Sequence, residues 1–230
     1  MKKHYPWLWF DADGTLFDYN RAEATALKNS FQSLSLPFED GTLDVYRRIN
    51  QGLWQALEQH EITPAALQSR RFELLLESLR LRGSAEQISS AYLEQLALCA
   101  ELTGGAYEVL QALHGKSRIA IVTNGLQSVQ RGRLAHSKIR EFIDELIISE
   151  EIGAAKPQPA FFEVAFSRTG NPPKSDVLII GDSLSSDIRG GLDYGIDTCW
   201  YNPESVPRPA DMKQITCEIR RLTELLELLD

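Results

Sequence analysis

The run Trp7-Leu8-Trp9-Phe10 stops at Asp11-Ala12-Asp13-Gly14-Thr15. Four consecutive large apolar residues bounded by a turn signal read as a short buried strand. In an extended chain residues i and i+2 face one side, so Asp11 and Asp13 are expected to project together from the strand's end. Two carboxylates that close are costly unless a cation lies between them or one is protonated. The pattern suggests a metal site in which one carboxylate is ligand or nucleophile and the other moves protons. Asp-Gly is also an ordinary polar turn after a strand, and this stretch alone does not choose between the two readings.

Beyond Asp18 the pattern turns helical. Leu27, Phe31 and Leu34 recur at helical spacing behind Asn20, read as a cap. Tyr46, Ile49, Leu53 and Leu57 form a second stripe, and Thr63-Pro64 opens a third helix carrying Leu67, Phe72, Leu75, Leu76 and Leu79. Ser84 to Gln87 has capping-box spacing before Ile88, Tyr92 and Leu96. Residues 18–100 therefore read as an all-helical block. After residue 100 strands and helices alternate: Ile119–Val122, Leu146–Ile148, Val177–Ile180 and Thr198–Tyr201 are expected strands. Between them lie helices through about Leu113, Lys138, Thr169 and Tyr194. A proline-rich loop then leads through Ile215–Cys217 to a Leu-rich terminal helix.

Alternation of this kind implies a parallel sheet covered on both faces. Its crossovers are right-handed, so the strands' carboxyl ends share one edge, where open α/β sheets bind ligands. The polar residues after the strands then converge there: Asp11 and Asp13, Thr123 and Asn124, Lys156, Asp182. Together they suit phosphoryl transfer. Asp11 is the candidate nucleophile and Asp13 the acid and base. Asp182, with Asp11, could hold magnesium, a hard cation that prefers oxygen ligands, and Asp187 could support the metal's water. Lys156 offers a positive charge to phosphate, and Thr123 and Asn124 are candidate phosphate donors. Each residue alone has an ordinary explanation as a cap, turn or solvated charge. Their order on one sheet edge is what argues against coincidence.

Bulk properties exclude other classes. The 230 residues are 43% hydrophobic with net charge −8, an ordinary globular balance that disfavours nucleic acid polymers and anionic membranes as partners. Cys99, Cys199 and Cys217 are dispersed and odd in number, which indicates no disulfide framework and a reducing cytoplasm. His4, His60, His114 and His136 are scattered, and are read as surface or locally bonded residues. The short apolar run at the N-terminus fits neither a signal peptide nor a membrane span.

Asp11-Ala12-Asp13-Gly14-Thr15, Val122-Thr123-Asn124-Gly125, Lys156-Pro157 and Gly181-Asp182-Ser183-Leu184-Ser185-Ser186-Asp187 resemble, in order, the four motifs of the haloacid dehalogenase superfamily. The resemblance implies a Rossmann-like α/β core of residues 1–17 and 101–230 and an inserted helical cap of residues 18–100. It also implies magnesium-dependent phosphatase chemistry, with manganese as the alternative metal, and a metal site that includes the backbone carbonyl of Asp13. Dehalogenase and phosphonate-cleaving members lack the second aspartate of the first motif, so Asp13 implies phosphate-ester cleavage.

Trp9-Phe10-Asp11-Ala12-Asp13, Gly52-Leu53-Trp54, Arg71-Phe72-Glu73, Ile148-Ser149-Glu150-Glu151-Ile152-Gly153 and Thr198-Cys199-Trp200 look like the bacterial pyrimidine 5'-nucleotidase branch. That resemblance implies a nucleoside 5'-monophosphate as substrate. Gly14 departs from it, since that branch often carries an acidic residue there. Thr103-Gly104-Gly105 replaces a more usual proline-glycine start. The cap would choose the substrate, with Asn50, Trp54, Arg71, Phe72 and Glu73 as residues to face the leaving group. Trp54 and Phe72 fit helical stripes equally well and read as cap core. A sugar-phosphate or phosphoglycolate phosphatase, or a hexose-phosphate mutase, is the alternative on the same core. A non-catalytic binding module fits least, because the acid, lysine and metal set is complete.

Overall fold

The β1 strand (Trp7–Phe10) alternates its side chains between two cores, as a strand covered on both faces must. Leu8 and Phe10 join Ile119, Ile121, Leu178 and Ile180 on one face. Trp7 and Trp9 join Ala120, Val122, Val177 and Ile179 on the other. The structure, a computed structural model, describes residues 3–59 and 61–229. His60, expected at the surface, lies outside them.

Two compact units form: Met1–Asn20 with Ala100–Asp230, and Arg21–Cys99. The first contains a parallel sheet of β1, β2 (Arg118–Thr123), β3 (Glu145–Ile148), β4 (Val177–Gly181), β5 (Asp197–Tyr201) and β6 (Cys217–Ile219). The strand order is β3-β2-β1-β4-β5-β6. From β1 the chain builds outward through β2 and β3, then returns to add β4 on β1's other side. The order reverses at β1, and open α/β sheets bind ligands at such a reversal, beyond the strands' carboxyl ends. Helices α5 (Ala106–Leu113), α6 (Gln127–His136), α7 (Ser149–Ile152), α8 (Pro159–Arg168), α9 (Arg189–Tyr194) and α10 (Leu225–Leu228) belong to this unit.

The second unit is helical. It contains α1 (Tyr19–Ser33) apart from its first two residues, α2 (Thr42–Glu58), α3 (Pro64–Leu79) and α4 (Ala85–Leu98). Thr63 caps α3 by accepting from the Ala66 N–H, and Ser84 caps α4 by accepting from the Gln87 N–H. Tyr46, Phe72 and Tyr92 form a fully buried aromatic triad with ring centroids 5.4–5.7 Å apart. Phe72 is thus a packing residue. Glu73 lies at the surface, paired with Arg70 at 3.0 Å.

Three details differ from the sequence expectation. Asn20 is not a cap, because α1 already starts at Tyr19. The segment after β4 begins with a π-helical turn, Leu184–Ile188, before α9. The chain's end holds a sixth strand and only one turn of α-helix, because Cys217-Glu218-Ile219 is too short to show a period in sequence. No helix among the described residues is long and apolar enough to cross a membrane.

Candidate active site

The site is assembled where β2, β1 and β4 end side by side. Asp11 comes directly after β1, Thr123 closes β2 and Asp182 comes directly after β4. Lys156 enters from the loop between α7 and α8 and is 2% exposed. Its ammonium donates to Asp11 Oδ1 at 2.6 Å, to Asp187 Oδ1 at 2.6 Å and to the Val122 carbonyl at 2.5 Å. An ammonium has three N–H groups, so this set satisfies it completely.

Each supporting bond has a local origin. The Asn124 amide donates to the Lys156 carbonyl and accepts from the Lys156 N–H, both at 2.8 Å. Its side chain thereby pins the lysine loop to the end of β2 and keeps a second amide N–H to donate. The Thr123 hydroxyl accepts from the Gly125 N–H at 3.0 Å and retains its proton to donate. Asp187 is fully buried in the π-helical turn and accepts from the Ser183 N–H at 3.1 Å with its second oxygen. Both Asp187 oxygens are therefore engaged, and it acts as a counter-charge behind Lys156. Thr15 donates to Asp182 Oδ1 and accepts from the Asp182 N–H, both at 3.1 Å, tying the loop after β1 to the loop after β4. The Trp200 indole donates to the Asp182 carbonyl at 3.0 Å.

Two glycines make room for these carboxylates. Gly14 has φ +86°, and a Cβ there would lie 2.7 Å from Asp182 Oδ2. A Cβ on Gly181 would collide with the Asp187 carboxylate. A larger residue at either position would displace the acid it faces.

Carboxylate oxygens of Asp11, Asp182 and Asp187 lie within 4.8 Å of one another. Burial drives the pKa of Asp11 well above the carboxylate range, Lys156 opposes this, and the charges of Asp187 and Asp182 add to the rise. Asp182 is raised to about 6, first by burial and then by Asp187. Burial alone would discharge Lys156, but Asp11 and Asp187 outweigh it and hold its pKa above the ordinary lysine value. With all three carboxylates ionised, the one ammonium leaves two negative charges in excess. A divalent cation would balance them, and hard oxygen donors suit magnesium. Asp11 Oδ2 accepts no hydrogen bond among the described residues. The donor set therefore fits such a metal.

Asp13 is placed differently from expectation. Its carboxylate lies outside the three-acid cluster. The chain does not stay extended beyond β1: it turns at Ala12, and Asp13 bridges to Phe17. The i, i+2 rule for one side of a strand no longer applies there. The Asp13 carboxylate instead accepts from Gln130 and is ion-paired with Arg133, both on α6. Sequence reasoning found neither residue, nor Thr15 as a partner of Asp182. A polar side chain every third residue on a helix ordinarily reads as its solvated face.

A parallel sheet with an acid cluster at its reversal point places this chain among the α/β proteins that gather polar residues at the strands' carboxyl ends. Residues 7–195 match the family model of the haloacid dehalogenase-like hydrolases, and the chain belongs to that family. It is 36% identical to pyrimidine 5'-nucleotidase YjjG of Escherichia coli, covering 98% of each chain. It is 32% identical to pyrimidine 5'-nucleotidase PynA of Streptococcus pneumoniae, covering 98% of this chain and 95% of that one. The solved structure of the HAD hydrolase YfnB from Bacillus subtilis, bound to magnesium, superposes with a TM-score of 0.93 at 35% identity. That match covers 99% of this chain and all of the other.

Proposed function

We propose that this chain is a magnesium-dependent phosphomonoesterase acting through an aspartyl-phosphate, and that its substrates are pyrimidine nucleoside 5'-monophosphates. The observation that carries the reading is Asp11, buried beside Lys156 and facing Asp182 at the sheet's reversal point. The resemblance to YjjG and PynA supports the choice of substrate.

Asp11 attacks phosphorus and the bond from phosphorus to the ester oxygen breaks. Asp13 gives its proton to the departing alkoxide. Water then attacks the aspartyl-phosphate and passes a proton to Asp13; the bond from phosphorus to Asp11 breaks, releasing phosphate and regenerating both acids. Lys156 and the Thr123 hydroxyl stabilise charge on the phosphoryl oxygens. Asp11, Asp182 and the Asp13 carbonyl would hold magnesium, or manganese in its place, with Asp187 behind them. The bound ion would let an anionic carboxylate approach an anionic phosphate. Residues 18–100 serve as the cap that selects the ester. A reducing cytoplasm suits three free cysteines.

Phosphate release from a panel of pyrimidine and purine nucleoside 5'-monophosphates, sugar phosphates and phosphoglycolate tests this. Preference for UMP, dUMP or dTMP, abolished by EDTA and restored by magnesium, is the expected result. Activity confined to sugar phosphates or phosphoglycolate would overturn the substrate class and leave the core chemistry standing.

A further inference from the structure

We propose that Gln130 and Arg133 are positioning residues for Asp13, and that Gly125 is the empty space through which Gln130 reaches it. The proposal rests on the reading of Asp13 as acid and base.

The two oxygens of Asp13 are held from one helix. Arg133 pairs with Oδ1, and the Gln130 amide donates to Oδ2 at 2.5 Å. Positions 130 and 133 are three apart and share one face of α6. The holders are buried, Arg133 at 0% and Gln130 at 1% exposure, whereas the Asp13 side chain keeps 27% of its surface open. Arg133 also stacks over the Phe17 ring at 4.5 Å, which restricts the guanidinium plane. A carboxylate has about four lone-pair sites, so one donor per oxygen leaves others to take or pass a proton. The carboxylate plane is therefore fixed on its inner side and presented on its outer side.

A Cβ on Gly125 would strike the Gln130 amide nitrogen, with the side chain's Cγ and Cδ each at 2.9 Å. Gly125 has no positive φ, so alanine suits its backbone. Its substitution would move the flexible end of Gln130 and leave the fold intact. This gives a second way to release Asp13 without touching α6.

The test compares kcat/KM for UMP, whose alkoxide needs an acid, with kcat/KM for p-nitrophenyl phosphate, whose phenolate does not. This parameter reports the bond-breaking half of the reaction. The variants are Asp13→Asn, Gln130→Leu, Gly125→Ala, Arg133→Met and Arg133→Lys in the full chain with magnesium. Asp13→Asn should lose about 10²-fold more on UMP than on the aryl ester. Gln130→Leu and Gly125→Ala should show the same skew at about tenfold, a part of what acid catalysis contributes. Arg133→Lys, which keeps the cation, should be less skewed than Arg133→Met. A general structural defect would lower both substrates together. Equal losses on the two esters for Gln130→Leu and Gly125→Ala, beside a skewed Asp13→Asn, would overturn the positioning role and spare the role of Asp13. If Asp13→Asn itself shows no skew, the acid role falls and the positioning role falls with it.

Discussion

Both units bury a cation, and they treat it in opposite ways. In the α/β unit, Lys156 has three acceptors for three N–H groups, two of them carboxylates. In the helical unit, Arg71 is 3% exposed and lies over the faces of Phe72 and Tyr92, its central carbon 5.0 and 4.9 Å from their centroids. Its Nε and Nη2 are buried without hydrogen-bond partners among the described residues. In the same unit Glu23 is also buried, and it accepts from Arg47 at 2.9 Å and Asn50 at 3.3 Å. A buried polar group lacking a partner costs roughly 1–3 kcal/mol. The contrast shows where each unit's polarity is aimed. The α/β unit closes its charges on one another and so fixes the reacting groups in advance. The helical unit instead seats its buried cation on aromatic faces, with two of its donors unpaired among the described residues.

The largest expected effect strikes the closed cluster at the nucleophile. Asp11→Asn should lower phosphate release by about four orders of magnitude or more, with the far-ultraviolet circular dichroism unchanged. Appreciable residual turnover would remove Asp11 from that role. Next, Lys156→Met leaves Asp11, Asp182 and Asp187 facing one another without their cation. Breaking a buried pair on one side costs about 3–5 kcal/mol, or a thermal midpoint lower by about 6–20 °C for a chain of this size. Calorimetry in EDTA measures this, and an unchanged midpoint would mean that the cluster does not depend on the lysine.

The unsatisfied donors of the helical unit are probed by Arg71→Met, which keeps the stacked volume and removes the donors. We expect the KM for nucleotides to rise by about tenfold, the equivalent of one lost hydrogen bond to a charged group. The KM for p-nitrophenyl phosphate should stay near its original value. Parallel changes on both substrates would make Arg71 a packing residue only. The smallest effect is a control far from either cluster. Burial alone would raise the pKa of Asp197, but hydrogen bonds from Lys3 and Tyr5, each at 2.6 Å, outweigh it and hold the pKa below the usual carboxylate value. A depressed carboxylate stabilises the fold above its unfolded pKa and loses that contribution as pH falls through the folded value. Lys3→Met should therefore cost under about 1 kcal/mol at pH 7, with the difference from wild type shrinking below pH 4. A difference that persists undiminished in acid would refute the ion-pair origin.

Near neighbours along the chain were enough to set the parallel sheet, the helical block and the four loops that carry the chemistry. Apolar runs of strand length, helical stripes, caps such as Thr63 and Ser84, and polar groups placed just after each strand are all local signals. Which acid meets which cation is settled by packing instead. Asp187, expected to support a metal's water, lies in the acid cluster and is also the second counter-charge of Lys156, a pairing made by the π-helical turn. Asn124 became a clamp for the lysine loop, and Asp13 turned to α6. Gln130 and Arg133 stand more than a hundred residues from Asp13 in the chain. A helix one layer away selects its partner by packing, and local periodicity holds no record of that choice.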